Sequence, residues 1–382
     1  MGPPPKELGA FVPLRLTGHN DEKDYQETYM VNYIIRRLLI LPIILIGVTM
    51  LVFTMIQFLS PEERSALYVR DIPKNAAMMA GIIKRYGLDQ PIYAQYWHWM
   101  VGSKDTTGAI TGGILRGDFG YSRSGNREIS AIIADRFPAT VELAIYAVIP
   151  IVGIGIWLGI AAAVNHNKLI DQVARILSII GYSFPTFILG LMLLMFFYAQ
   201  LRWFPIGRLS EWATAVVTSP SYHQFTRLVT VDAILNGRID ILWDAIRHLV
   251  LPVVTLSYVS WAVFLRVTRS SMLETLRQDY VVTARAKGVA EKNVVNKHAR
   301  PNALIPVATL GGLQVAGLLG GVVFTETIFD YPGIGSAAAE AAAQLDVVTV
   351  LAFTLLTALI LILANLVVDV LYGFLDPRVR LA

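Results

Sequence analysis

Side chains able to do chemistry are present in this chain, but no spacing organises them. Its six histidines, His19, His98, His166, His223, His248 and His298, are scattered without ligand spacing, and no H-E-x-x-H pair occurs. There is no cysteine, which excludes disulfides and thiolate metal sites. No G-x-x-x-x-G-K-S/T occurs, so the chain has no phosphate-cradling loop of its own. A Ser-His-Asp set cannot be argued from separations along the chain. What remains is the chemistry of docking. Residues 279–302 form a basic, Ala-rich stretch with a central Gly288, set between two long apolar runs. A link between membrane spans needs only a few residues to turn. This one is long enough for two short helices, which predicts that it docks onto something outside the membrane.

The elements that position this stretch follow from composition. The 382 residues are 55% hydrophobic and only 16% charged, with a mean hydropathy of +0.55. A soluble domain has about a quarter of its residues charged. Several runs approach the roughly 20 apolar residues that cross a hydrocarbon core. The expectation is an all-α membrane protein with six transmembrane helices and a bilayer, not a nucleic acid, around it. Residues 1–33 read as an N-terminal extension, with Pro3, Pro4, Pro5 and Pro13 in an extended arm and no cleavable signal. The first span is 34–59, and 60–138 is a polar outer region. The core, 139–374, holds spans two to six, at about 139–164, 173–201, 246–269, 303–325 and 347–374. Within it lie an outer loop, 202–245, and a basic loop, 270–302; a tail, 375–382, follows. Pro42, Pro150, Pro185, Pro252 and Pro306 fall inside spans, where kinks are expected.

Charge near span ends sets the orientation. Arg36, Arg37, Lys168 and Arg175, the basic loop, Arg378 and Arg380 all fall on one side of a six-span arrangement. The loop 326–346 on the other side has no Lys or Arg and carries Glu326, Asp330, Glu340 and Asp346. Both termini and the basic loop are therefore expected in the cytoplasm, and 60–138 and 202–245 outside. The aromatics of 92–100 read as anchors at the headgroup level.

Span centres are nearly bare of charge, unlike those of an ion-coupled transporter. Glu142 and Asp369 lie near span ends and are expected to snorkel to an interface. Gln57, Ser183, Thr186, Tyr258, Gln314 and Asn365 are the polar groups left. Such groups glue helices or line a wet path. Both readings stand equally for Gln314, and glue is preferred for the others. A path, if one exists, has Gln57, Ser183, Tyr258 and Gln314 as its candidate lining.

In the basic loop, Met272, Leu273, Leu276, Tyr280, Val281 and Ala284 recur at helical spacing. Gly288 can take a left-handed backbone and end that helix. A second helix then starts, with Val294 and Val295 on its apolar face. The result is an elbow small at its tip (Ala284, Ala286, Gly288, Ala290) and ringed by Arg285, Lys287, Glu291 and Lys292. It can seat in a partner, or lie as a basic helix on anionic lipid.

These residues resemble the EAA loop of ABC-importer permeases. That pattern is Glu-Ala-Ala, three residues, then Gly. Here Thr283-Ala284-Arg285-Ala286-Lys287-Gly288 keeps Ala284 and Gly288 but lacks the glutamate, a variant typical of peptide permeases. Tyr86-Gly87-Leu88-Asp89-Gln90-Pro91, Gly117-Asp118-Phe119-Gly120, Pro138-Ala139-Thr140-Val141-Glu142-Leu143, Glu326-Thr327-Ile328-Phe329 with Pro332-Gly333, and Asp376-Pro377-Arg378 are similar to the dipeptide/oligopeptide permeases. The resemblance runs from about residue 30 to the end; 103–111 and 211–239 are longer than the family pattern. It implies the type I ABC importer permease fold, with long extracytoplasmic loops, in a bacterial or archaeal plasma (inner) membrane. A homologous second permease, two cytoplasmic ATPases and an outside substrate-binding protein would complete the assembly. ATP and Mg would sit on the ATPases, with no cofactor on this chain and no enzymatic activity of its own. Ala284, Arg285, Ala286, Gly288 and Glu291 would dock the ATPase. Peptides are the implied substrate, with oligosaccharides or metal chelates as alternatives. From the residues alone, an ion-coupled transporter or a membrane scaffold are the rival classes.

Overall fold

Backbone groups in a hydrocarbon layer have no water to bond, so apolar runs of this length have to be helical. The structure, a computed structural model, describes residues 19–67, 75–104 and 110–375. The proline-bearing start of the N-terminal arm and the tail with Arg378 and Arg380 lie outside the described residues.

The chain opens with α1 (His19–Gln57). Two short helices follow, α2 (Ala76–Tyr86) and α3 (Ile92–Val101). Two small antiparallel ladders come next. In the first, β1 (Ser103–Lys104) pairs with β2 (Ile110–Thr111) and Ser103 opposes Thr111. In the second, β3 (Tyr121–Ser122) pairs with β4 (Arg127–Glu128) and Tyr121 opposes Glu128. Then come α4 (Ile129–Val164), α5 (Leu169–Ser183) and α6 (Thr186–Gln200). The helices α7 (Glu211–Val217) and α8 (Val229–Leu235) precede the long α9 (Ile239–Thr275). The elbow is α10 (Asp279–Ala286) and α11 (Glu291–Ala303), continued by α12 (Ile305–Leu319). The chain closes with α13 (Val323–Ile328), α14 (Ile334–Ala343) and α15 (Val347–Leu375).

Four helices, α1, α4, α9 and α15, are long and apolar enough to cross a membrane. Two bent pairs, α5 with α6 at 98° and α11 with α12 at 51°, raise the total to six if each is one span. The run 173–201, expected as one span, is thus broken. Pro185 disfavours a helical backbone at the residue before it, and Phe184 is extended at φ −89° and ψ 124°. Pro42, Pro150 and Pro252, by contrast, lie within α1, α4 and α9, each one uninterrupted helix.

The core is α4 against α9, with Leu143, Ala147 and Ile151 meeting Leu249, Leu256 and Phe264. Small residues let helix backbones approach where lipid supplies no hydrophobic drive between them. A Cβ at Gly159 would lie 2.5 Å from the Thr268 Cβ and 2.9 Å from the Leu265 carbonyl oxygen. Gly159→Leu is therefore expected to cost about 1–3 kcal/mol or more as overpacking, read as a lower thermal midpoint of the purified protein. A midpoint equal to the native one would mean that α4 and α9 separate freely. On the other side, α1 packs on α15 through Val52, Phe53, Ile56, Leu351 and Leu355.

The aromatics of α3 divide. Tyr96 and Trp99 turn inward, with ring centroids 5.4 Å and 5.5 Å from Phe53. Tyr93 and Trp97 are exposed and keep the surface position expected for all of them.

The elbow, the buried carboxylates and the polar cleft

The elbow is built around its own small core. Val281, Ala284 and Val294 are buried together, with Leu276 and Val289 packed on them. Gly288 takes φ +74°, a region that costs other residues about 1–2 kcal/mol. This turn brings the Val289 amide back to the Ala284 carbonyl at 3.2 Å. Arg285 then donates to Glu291 from Nε at 3.0 Å and from Nη2 at 2.6 Å, closing the two helices across the turn. The Tyr280 hydroxyl accepts from Asn302 Nδ2 at 3.0 Å. Val295, Ala299 and Ala303 of α11 pack with Met272 of α9 and Ala163 of α4, so the elbow is rigidly joined to the central pair.

The five residues expected at its tip do not share one environment. Arg285, Ala286, Gly288 and Glu291 are exposed, while Ala284 is only 8% exposed and faces Val281 and Val294. Thr283, where the glutamate of the EAA pattern would stand, is exposed as well.

At the opposite end, buried carboxylates hold loops to helices. Glu142 was expected to snorkel to an interface, and this is corrected by its burial: it is 1% exposed. Its Oε2 accepts from Arg208 Nε at 3.1 Å and Nη2 at 2.8 Å, and from the Tyr331 hydroxyl at 3.3 Å. Its Oε1 accepts from the Thr230 amide at 2.7 Å and hydroxyl at 2.8 Å. Burial, and then the Glu142 charge, push the Tyr331 phenol well above its ordinary pKa. Glu326 accepts from the Thr140 hydroxyl at 2.9 Å and the Ser336 amide at 2.8 Å. Burial pushes its carboxyl up, against the pull of these donors. Asp346 accepts from the Ser122 hydroxyl at 2.9 Å, the Ser124 amide at 3.0 Å and the Thr349 hydroxyl at 2.8 Å. Glu142, Glu326 and Asp346 thus serve as buried anchors, while Asp330 and Glu340 stay on the surface. Sequence reasoning missed Arg208, Thr230 and Tyr331, whose shared partner is 66, 88 and 189 residues away. At the elbow end, Arg269 makes the equivalent link, donating to Asp171 at 2.6 Å and 2.9 Å.

The candidate path residues separate. Gln57 accepts from Arg64 at 2.7 Å and reaches Gln95 at 3.4 Å, which ties the end of α1 to α3. Tyr258 packs edge-on against Trp261 of its own helix at 5.7 Å and on the cluster of Ala162, Ala174 and Leu265. Gln314 lies 3.4 Å from the Ser260 hydroxyl in a cleft of about 350 Å³ between α9 and α12. Ser183 lines a second cleft of about 410 Å³ between α5 and α9. Tyr182, at the end of α5, lines both clefts.

A long α4–α9 core, a basic elbow and far loops pinned by acids are features a family can be tested against. The family model described as binding-protein-dependent transport system inner membrane component matches residues 155–381. A second, for the N-terminal part of such membrane components, matches residues 30–144. The chain belongs to this family. It is the permease component of an ABC importer, and the permease's elbow falls inside the larger match. Relatives agree over nearly the full length. The dipeptide transport system permease protein DppB of Alkalihalophilus pseudofirmus is 37% identical over 351 residues, 92% of this chain and 100% of the relative. The di/tripeptide transport system permease protein DppB of Pseudomonas aeruginosa is 38% identical over 92% of this chain and 99% of its own. The glutathione transport system permease protein GsiC of Salmonella typhi is 37% identical with the same coverage.

Proposed function

We propose that this permease forms half of the translocation path of an ATP-driven importer of short peptides. The observation that carries this reading is the near-complete alignment with relatives named for dipeptides, di- and tripeptides and glutathione. The other half is a homologous permease. An outside binding protein delivers the peptide, and two cytoplasmic ATPases, holding ATP and Mg, drive the cycle. The elbow end faces the cytoplasm, because its short loops hold the Lys and Arg, and both termini lie on that side. The far loops with Glu142, Glu326 and Asp346 face outward and meet the binding protein.

The docking surface is the exposed part of the elbow tip, Arg285, Ala286, Gly288 and Glu291. Ala284 supports it from inside by spacing α10 from α11. When the ATPases close, the elbow moves with them. Its attachment through Met272, Val295 and Ala303 carries that displacement into α9 and α12, which flank the cleft around Gln314. A packed joint transmits such a motion because it has few intermediate arrangements. Of the four candidate path residues, Ser183 and Gln314 line the path, and Gln57 and Tyr258 hold its walls.

The reading is tested by co-expressing the chain with its partner permease, ATPases and binding protein. Co-purification of the ATPases and ATP-dependent uptake of a dipeptide by proteoliposomes are expected. Uptake that collapses with an ionophore and survives without ATP would overturn it.

A further inference from the structure

We propose that the cleft between α5 and α9 receives the terminal carboxylate of a peptide in transit, and that Arg266 is the residue that touches it. This rests on the peptide-import reading above. The argument begins with charge. Arg175, Arg266 and Arg269 line one cleft of about 410 Å³. Asp171, fully buried behind it, holds both bonds of Arg269 and lies 3.8 Å from Arg175. Arg266 has no carboxylate within ion-pair distance among the described residues. Its guanidinium instead lies 4.8 Å from the centroid of the Tyr182 ring.

Arg266 lies near the elbow end of its span, where an arginine can reach the interface, and its place over Tyr182 sets it in the wall of this cleft. Among the cleft's arginines, Arg266 is the one with no carboxylate partner among the described residues, since Arg175 and Arg269 both face Asp171. The Ser178 hydroxyl is already given to the Ala262 carbonyl at 3.1 Å, and that of Ser183 to the Ile179 carbonyl at 2.7 Å. A guanidinium fork matches a carboxylate through two parallel hydrogen bonds. The Tyr182 ring supports the cation while the cleft is empty, and moving off it frees the fork. A lipid phosphate is the other anion that could reach a basic cleft. The shape favours the peptide. Tyr182 also lines the neighbouring cleft that holds Ser260 and Gln314, so further polar groups lie one side chain away from Arg266. A lipid headgroup needs only a basic mouth.

The test uses the assembled transporter in proteoliposomes, with native, Arg266→Gln and Arg266→Lys chains and one dipeptide supplied with a free or an amidated C-terminus. Co-purification of the ATPases with each variant is the folding control. The expected result is a drop in the maximal uptake rate of the free peptide of about tenfold in Arg266→Gln, the loss of one charge-assisted hydrogen bond. The native-to-variant ratio should stay near unity for the amidated peptide, and Arg266→Lys, which keeps the charge but not the fork, should recover only part of the rate. Comparing ratios cancels the binding protein's own preference. Equal losses for both peptides, or no loss for either, overturn the assignment. If the native complex carries no amidated peptide, the lysine variant decides: recovery supports the site and its absence overturns it. A loss seen in phosphatidylglycerol but absent in phosphatidylcholine assigns Arg266 to a net anionic lipid headgroup and also overturns it. Failure of the native complex to take up any peptide is a failure of the parent reading, and it is seen before any variant is compared.

Discussion

Arg208→Ala is expected to destabilise the permease by about 3–5 kcal/mol, the range for stranding one member of a buried ion pair. Glu142 is 1% exposed and Arg208 17% exposed, so water cannot readily replace the guanidinium. The carboxylate would keep the Thr230 amide and hydroxyl on Oε1, but Oε2 would lose both arginine bonds and retain only the 3.3 Å contact to Tyr331. Arg208 also donates to the Arg227 carbonyl at 2.9 Å, so its removal also loosens the loop ahead of α8. The measurement is thermal unfolding of the purified protein in detergent. Glu142→Gln with Arg208→Ala should recover part of the loss, since a neutral amide is cheaper to bury than an unpaired charge. A single variant that melts with the native protein would show that Glu142 gains water on its own, and the idea of a buried anchor would go.

Gly288→Val should leave the chain folded and inserted while abolishing peptide-stimulated ATP hydrolysis in the reconstituted complex. Within this chain the substitution strains the backbone but meets no clash. A Cβ at Gly288 meets no heavy atom within 4 Å, and the cost is the left-handed backbone, about 1–2 kcal/mol. That is small beside the loss of coupling expected if a partner closes over the tip. The two causes separate with Gly288→Asn, because asparagine tolerates the left-handed region. If backbone strain is the cause, Asn restores stimulation. If close approach of the ATPase is the cause, Asn fails with Val, and a substitution at the exposed Ala286 fails alongside it. Normal stimulation in Gly288→Val would remove the elbow from the coupling path.

Several of these features were legible in the order of residues. Apolar runs near membrane length, Lys and Arg gathered in short loops, and a glycine between two amphipathic stretches are local properties. Each is set by neighbours along the chain, so a single sequence is enough to find it. Gly288 is the clearest case, since both its place at a helix end and its φ of +74° follow from the pattern around it. The proline readings show the limit. Pro42, Pro150, Pro185, Pro252 and Pro306 are alike in sequence, yet a helix stops only just ahead of Pro185 and, with a 51° bend, just ahead of Pro306. Each of the others lies inside a continuous helix, and in a membrane neighbouring helices can re-satisfy the carbonyls that a proline frees.

By itself, then, the amino-acid order determined the membrane character of the chain, the basic elbow and the family pattern that the comparisons bear out, because hydropathy and helix termination act over a few residues. Only the tertiary structure decided which polar groups are buried and against what. Glu142 gains Arg208, Thr230 and Tyr331 from loops up to 189 residues away, and Ala284 turns inward because Val281 and Val294 close over it. A carboxylate's fate depends on who desolvates it and who donates to it, and both answers come from segments that are neighbours only after the chain has packed.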